Sequence, residues 1–495
     1  MKGLNYFNLH REGVHLLHKM KRKLLAVSFI TVFFTFFSIS ASAAGPVVAI
    51  IDSGTDMQHE AIAPSAWWNP VDIPNSGRDE DGNGYPDDIH GWNFAEGNNE
   101  VIDYRYLGIL DDDIRRFFDV QTDMMLGQAT QEDIMWLRSM IENEEFLKKM
   151  QIYGNFMHGT HVGGIAIEGT EKSELMAIKL IPTEVSLPLF VDQVLALVNQ
   201  NDKGPSLEDV IEGESFRVGL VKQALAFLAK EQSKLLIEIG DYVDGHNVDV
   251  ANGSFGTGYA QAAMIVSAIF ENIFRRPATD EELFEVASHF LNVLIENVSE
   301  MADIAPDTLY VFAAGNDGTD NDIYPVSPTN IERDNVISVA ATYDRVVLAP
   351  FSNFGVRTVD VAAPGLGIYN AVPGNEYLTV SGTSQAAPYV ARVAAQIKEV
   401  NSALGPLQIR QIIEGTVDVK DFLVGKVSTS GIVNGERAVE AARLSLVHSI
   451  SEAVDMANET VGDIPPSFMA KSFFGPLPYL EGSVLPLPSP MQLKN

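Results

Sequence analysis

Short apolar runs separated by long stretches of helical periodicity restrict this chain to one broad architecture. Val47–Ile51, Leu175–Ile181, Val248–Ala251, Leu309–Ala314, Val336–Ala341 and Val359–Ala362 are runs of strand length. Helical patterns fall between several of them, over Phe216–Tyr242, Ala260–Phe274 and Asp280–Met301. Strands alternating with helices predict an α/β fold, a doubly wound parallel sheet flanked by helices. Open sheets of that kind place their chemistry beyond the carboxyl ends of the strands. The residues that follow each run are therefore the ones to inspect.

Composition narrows the class. With 495 residues, 46% of them hydrophobic, the chain can bury a full core. It has no cysteine, which excludes disulfides, cysteine-ligated metal, thiol catalysis and lipid attachment through cysteine. A formal charge of −32 argues against a nucleic-acid partner, since phosphates would be repelled, and suits the binding of calcium. Lys21-Arg22-Lys23, the apolar run Leu24–Ile39 and the small-residue site Ala41-Ser42-Ala43 predict a secretory signal over residues 1–43, with Met20 a more natural start. The expected location is secreted or periplasmic. No stable membrane association is expected once the signal is cleaved; left uncleaved, the same run would tether the protein. An exported chain without disulfides needs another source of rigidity.

Four segments carry candidate chemistry. Val47–Ile51 ends in Asp52-Ser53-Gly54-Thr55-Asp56, which puts a carboxylate at a strand end. His158-Gly159-Thr160-His161-Val162-Gly163-Gly164 reads as a helix start packed tightly at a cleft. Two histidines three apart also suit a metal, but no third ligand of comparable spacing appears, and His161 reads as structural. Tyr310–Ala314 runs into Gly315-Asn316, whose exposed amide is a candidate oxyanion donor or a simple turn residue. Ser381-Gly382-Thr383-Ser384-Gln385-Ala386-Ala387-Pro388 reads as strand, tight turn and helix, with Pro388 near the first turn. A hydroxyl there lies beside free N–H groups at a partially positive helix end. The alternative for Ser384 is a helix cap without chemistry. Val248–Gly256 is a further strand, with Asn252, Ser254, Phe255 and Gly256 as candidates for pairing with an extended peptide.

Asp79-Glu80-Asp81-Gly82-Asn83-Gly84-Tyr85-Pro86-Asp87-Asp88 has calcium-loop spacing. Asp79, Asp81, Asn83 and Asp87 stand at positions one, three, five and nine, with glycine at six. The twelfth position is His90 rather than a bidentate glutamate, so a related loop is expected, not an EF-hand. Bound Ca²⁺ would supply the missing rigidity. Glu100–Met150 is acidic and helical in pattern, and reads as an inserted subdomain, either decoration or a lid. From about Asp463 the tail is punctuated by prolines, which predicts an extended arm, docked through Phe468, Phe473, Phe474 or Tyr479, or else loose.

Four blocks together resemble the subtilisin-like serine proteases: Ala49–Asp56, His158–Gly164, Ala313–Asn316 and Gly382–Pro388, in the order Asp, His, Asn, Ser. The resemblance implies a subtilisin-like sheet with helical insertions over a catalytic domain at 44–446, with inserts at 100–150, 182–215 and 275–307, and a proline-rich tail at 447–495. It implies Ser384 as nucleophile, His158 as general base, Asp52 as its orienting partner and Asn316 as oxyanion donor with the Ser384 N–H. It also implies that Asn252–Gly256 lines the substrate, that Tyr324-Pro325 lies near the specificity pocket, and that the Asp79–Asp88 loop belongs with Gly91-Trp92-Asn93-Phe94. The expected function is an exported, calcium-stabilised endopeptidase acting on proteins or peptides. The alternatives are an inactive binding or chaperone protein of the same fold and a hydrolase acting on esters or amides. The Asp-to-His interval exceeds the family's usual one, and Asp52 follows the expected cleavage site too closely for the inhibitory pro-segment the family commonly carries.

Overall fold

The computed structural model describes residues 45–184, 210–467, 477–480 and 483–490. The expected signal at 1–43 with Met20, most of the expected 182–215 insert, and Phe468, Phe473 and Phe474 lie outside the described residues. The chain opens with β1 (Val47–Asp52), reaches β2 (Gly91–Asn93) through a long loop, and enters helices α1 (Asp112–Met125), α2 (Gln131–Ile141) and α3 (Glu144–Ile167). There follow β3 (Glu174–Lys179), α4 (Val210–Gly245), β4 (Val250–Gly253), α5 (Tyr259–Ile273), α6 (Asp280–Ile304), β5 (Leu309–Ala313), β6 (Val336–Tyr343) and β7 (Val347–Leu348). Then come β8 (Val361–Pro364), the hairpin of β9 (Ile368–Val372) and β10 (Glu376–Val380), α7 (Thr383–Val400) and α8 (Pro406–Gly415). The short strands β11 (Asp418–Val419) and β12 (Gly431–Ile432) precede α9 (Gly435–Leu444) and α10 (Ile450–Thr460).

The main sheet runs β11-β12-β8-β6-β5-β4-β1-β3-β2, with β7 beside β6. Its long strands pair in parallel, and only the short β7 and β11 run against their neighbours. β1 is central: Val48 faces Leu175 of β3 on one side and Val250 of β4 on the other. The period-two rule sorts side chains to two cores. On β5, Val311 joins Val390, Ala391 and Ala394 of α7 on one face, while Tyr310 and Phe312 join α4, α5 and α6 on the other. Both faces are covered, so the strands read as continuous apolar runs rather than alternating ones.

Two local predictions are corrected. His158 does not begin a helix; it lies deep in α3. Asn143 caps that helix by accepting from the N–H groups of Glu145 and Phe146, and Phe146, Met150, Tyr153 and Met157 continue one buried face at helical spacing. Pro388 is the sixth residue of α7, inside the helix and beyond its first turn. It has no N–H to give to the Ser384 carbonyl one turn back. Beyond the expected boundary at 446, α10 buries Ala453 and Ala457 against its neighbours.

Candidate active site

Asp52 closes β1, Ser254–Gly256 follows β4 and Asn316 follows β5, so three parallel strands deliver their next residues to one edge. α3 brings His158 to Asp52. Its Nδ1 lies 2.7 Å from Asp52 Oδ1, and the carboxylate is fully buried. The same oxygen accepts from the Ser53 N–H at 2.7 Å and the Ser53 hydroxyl at 3.1 Å, which fixes its direction. The close approach depends on Gly159. A Cβ there would stand 2.3 Å from the Gly54 carbonyl oxygen and 3.1 Å from Asp52 Cβ. Thr55 Oγ1 donates to the Gly159 carbonyl at 3.2 Å, and Thr160 Oγ1 accepts from the Asp56 N–H at 2.9 Å, tying the strand end to the helix.

Ser384 is the second residue of α7, so its N–H has no acceptor within the helix. Its carbonyl, left free by Pro388, accepts from Ser254 Oγ at 3.1 Å. In return Ser384 Oγ donates to the Ser254 carbonyl at 3.3 Å; its hydrogen bond is made there and not to His158. Asn252 Nδ2 steadies Ser254 Oγ at 2.9 Å. Asn252 and Ser254 are therefore buried braces, and Phe255 is core, edge-on to Phe312 with ring centroids 6.3 Å apart. Of the four strand candidates only Gly256 gives a backbone N–H to the cleft, donating to the Pro488 carbonyl at 2.9 Å.

The Asn316 amide is oriented by Thr383, whose N–H and hydroxyl donate to Asn316 Oδ1 at 2.9 and 2.8 Å. Thr383 Oγ1 also accepts from the Gly315 N–H at 3.1 Å. Nδ2 is thereby turned outward, where it donates to the Leu485 carbonyl at 3.0 Å. His158, Asn316 and Ser384 line one cleft of about 450 Å³, walled also by Phe118 and Gln121 of α1, Gly154 of α3, and the tail from Leu485 to Pro488. Thr383, Gln121 and the tail residues were not singled out from sequence. Thr383 is in plain view between the glycine and the serine, the tail prolines mark an extended arm without placing it, and Gln121 carries no local signal. His161 lies outside the cleft. Burial pushes its pKa down to about 4, and its Nε2 bonds the Leu378 carbonyl at 3.2 Å, which marks a neutral structural histidine.

The acidic loop gathers a ligand set that differs from the sequence expectation. Asp72, Asp79 and Asp81 bring carboxylate oxygens within 4.8 Å of one another, and Asp81, Asp88 and His246 do the same. Asp87 stands apart, its carboxylate taken by the Ser76 and Gly77 N–H groups at 3.0 and 2.8 Å. Asn83 donates from Nδ2 to Asp81 and Asp88, while its Oδ1 accepts from the Tyr85 N–H at 2.7 Å. Asp72 Oδ2 is buried without a hydrogen-bond partner. Burial raises the Asp88 pKa despite donation from Tyr242, Asn69 and Asn83. An orphaned buried carboxylate oxygen among like charges is what a bound cation would satisfy, and the all-oxygen set Asp72, Asp79, Asp81 fits a hard one.

A family model described as Subtilase family (Peptidase_S8) matches residues 43–435. Alkaline elastase YaB from Bacillus sp. (strain YaB) is 37% identical over 136 residues, 27% of this chain and 33% of that protein. Thermophilic serine proteinase from Bacillus sp. (strain AK1) is 41% identical over 134 residues, 27% of this chain and 31% of that protein. The chain thus spans about a third of the length of each of these two relatives. The crystal structure of a cold adapted subtilisin-like serine proteinase aligns at 16% identity with a TM-score of 0.35, covering 78% of this chain and 88% of that one.

Proposed function

Since the chain belongs to the subtilase family, we propose that it is a serine endopeptidase that cuts peptide bonds with Asp52, His158 and Ser384. The observation that carries this reading is the 2.7 Å contact between Asp52 and His158 Nδ1 in a cleft that also presents Ser384 and Asn316. Asp52 holds the proton on Nδ1, leaving Nε2 as the base for the serine. Ser384 Oγ forms a bond to the substrate carbonyl carbon and passes its proton to Nε2. Asn316 Nδ2 and the Ser384 N–H hold the oxyanion. The C–N bond then breaks, the amine leaves with the proton from His158, and water releases the acyl group by the same steps in reverse. The resting hydroxyl must first turn from the Ser254 carbonyl towards His158. Gly256, just beyond β4 and braced by Asn252 and Ser254, offers an N–H to an extended peptide.

Calcium would be held by Asp72, Asp79 and Asp81, where it neutralises crowded carboxylates and stiffens the loop. The signal-like segment at 1–43 supports export, to a secreted or periplasmic location. Among the described residues no helix is long and apolar enough to cross a membrane. The decisive experiment measures casein hydrolysis and fluorophosphonate labelling for the natural protein and Ser384→Ala. Both activities should vanish in the variant. Hydrolysis that survives would displace Ser384 as nucleophile. A natural protein that neither cuts nor labels, even with its tail displaced, would favour the non-catalytic binding alternative.

A further inference from the structure

The cleft already holds a peptide. Ser483–Ser489, near the carboxyl terminus, lies along it and is gripped almost wholly through its carbonyls. Gln121 Nε2 donates to the Ser483 carbonyl, Asn316 Nδ2 to Leu485 at 3.0 Å, Gln261 Nε2 to Leu487 at 3.4 Å and the Gly256 N–H to Pro488 at 2.9 Å. A hydroxyl pair, Thr257 and Ser489 at 2.8 Å, ends the row. These donors come from α1, α5 and two strand ends, so the grip spans the cleft from one wall to the other.

The sequence of the segment suits this grip. Pro486, Pro488 and Pro490 have no N–H, so the segment offers acceptors to a cleft that offers donors. Proline also fixes much of the extended shape in advance, which lowers the entropic cost of docking. Leu485 and Leu487, each followed by a proline, find space made by glycine. A Cβ on Gly154 would stand 3.1 Å from Leu485 Cδ1, and one on Gly256 would stand 3.1 Å from Leu487 Cδ1. Val484 and Leu487 are 5% and 6% exposed, as deeply placed as core residues. The bond after the held carbonyl is Leu485–Pro486, to a nitrogen without hydrogen, and the Ser384 hydroxyl points to the Ser254 carbonyl. The segment thus fills the oxyanion donor without the serine being set for attack.

We propose that Ser483–Ser489 is a resident intramolecular inhibitor, a leucine–proline peptide that occupies the Asn316 donor and the Gly256 edge and must be displaced before substrate enters. The proposal rests on the peptidase reading of the cleft. Tethering raises the effective concentration of such a segment to about millimolar, so each contact can be weak.

The test compares the natural chain with Leu485→Asp/Leu487→Asp, and with the milder Leu485→Ala/Leu487→Ala in case the charged pair disturbs folding. Fluorophosphonate labelling of Ser384 should speed up by about tenfold or more in the displaced variant, as expected if a docking energy of that size is lost. The free peptide Ser-Val-Leu-Pro-Leu-Pro-Ser-Pro, added in trans, should restore slow labelling in competition with substrate. A fluorescent copy of that peptide should bind the variants and not the natural chain, a readout independent of chemistry at Ser384. Folded variants that label at the natural rate and bind no peptide would overturn the proposal. Peptide binding by the variants alone, with no labelling of any form, would uphold the resident peptide and sink the peptidase reading instead.

Discussion

Two histidine–aspartate pairs face each other in kind across this molecule, and they are wired in opposite ways. In the cleft, His158 turns Nδ1 to Asp52 Oδ1 at 2.7 Å. In the acidic loop, His246 turns Nδ1 to its own helix, 2.8 Å from the Tyr242 carbonyl, and Nε2 stands 3.5 Å from Asp88. Its Nε2 is thereby aimed at Asp81 and Asp88. In the first pair Asp52 Oδ1 takes His158 and both Ser53 donors, while Oδ2 is buried without a hydrogen-bond partner. The second brings Asp81, Asp88 and His246 together, with Asp88 also accepting from Tyr242, Asn69 and Asn83. The same residue types thus meet through Nδ1 in one place and through Nε2 in the other.

Matched substitutions should separate the two pairs. Asp52→Asn is expected to lower kcat by about 10⁴-fold, because the amide favours the wrong tautomer of His158. Asp88→Asn should leave kcat within about threefold; a comparable loss from both would erase the distinction. Next in size, Asn316→Ala should cost about 10²–10³-fold in kcat with little change in KM, read by steady-state kinetics on a peptide ester. A larger change in KM than in kcat would make Asn316 a binding group.

The third prediction concerns pH and stability. His161 titrates near 4 when folded and near 6.5 when unfolded, so the unfolded chain binds the proton first as pH falls. Its contribution is fully present above pH 6.5 and is lost as pH drops through 4, a fall of about 3 kcal/mol. Thermal melts of His161→Gln should start lower at pH 7 and show a flatter profile between those limits. An unchanged slope would assign the acid lability elsewhere. The smallest effect is that of chelation. Removing calcium should cost about 2.7 kcal/mol if the ion is supplied at about a hundred times its dissociation constant, seen as a lower melting temperature. Asp72→Asn should abolish that shift, whereas Asp87→Asn should keep it.

The sequence makes the cleft more legible than the loop, for a physical reason. Asp52, Asn316 and Ser384 each sit where an apolar strand stops, and small residues mark the close packing around them. The loop's spacing identifies Asp79 and Asp81, but spacing reports only which residues share a turn. Asp72 lies upstream on the approach to that turn and His246 arrives on the turn that follows α4, so neither belongs to the pattern, while Asp87 fits the pattern and spends its carboxylate on Ser76 and Gly77. The tail was a proline-rich arm with two possible fates. Its docking through Leu485 and Leu487 depends on glycines more than two hundred residues away, at 154 and 256, which no local reading could weigh. The glycines after His158 look like a helix boundary, but each marks a close approach inside α3: Gly159 to Gly54 and Asp52, Gly163 to Leu175 and Thr55, Gly164 to Asn370.

The unbroken course of α3 sets a rule for how this protein can change length. Each residue added to an α-helix turns everything before it by about 100° relative to everything after it. One residue inserted between Tyr153 and His158 would swing Phe146, Met150 and Tyr153 off their core while His158 stayed with Asp52. Two would very nearly reverse that face. Growth or loss in the helical wall of the cleft can therefore accumulate only in the turns before Asn143, and the reach of α1 to the cleft is indexed to the helix that carries His158.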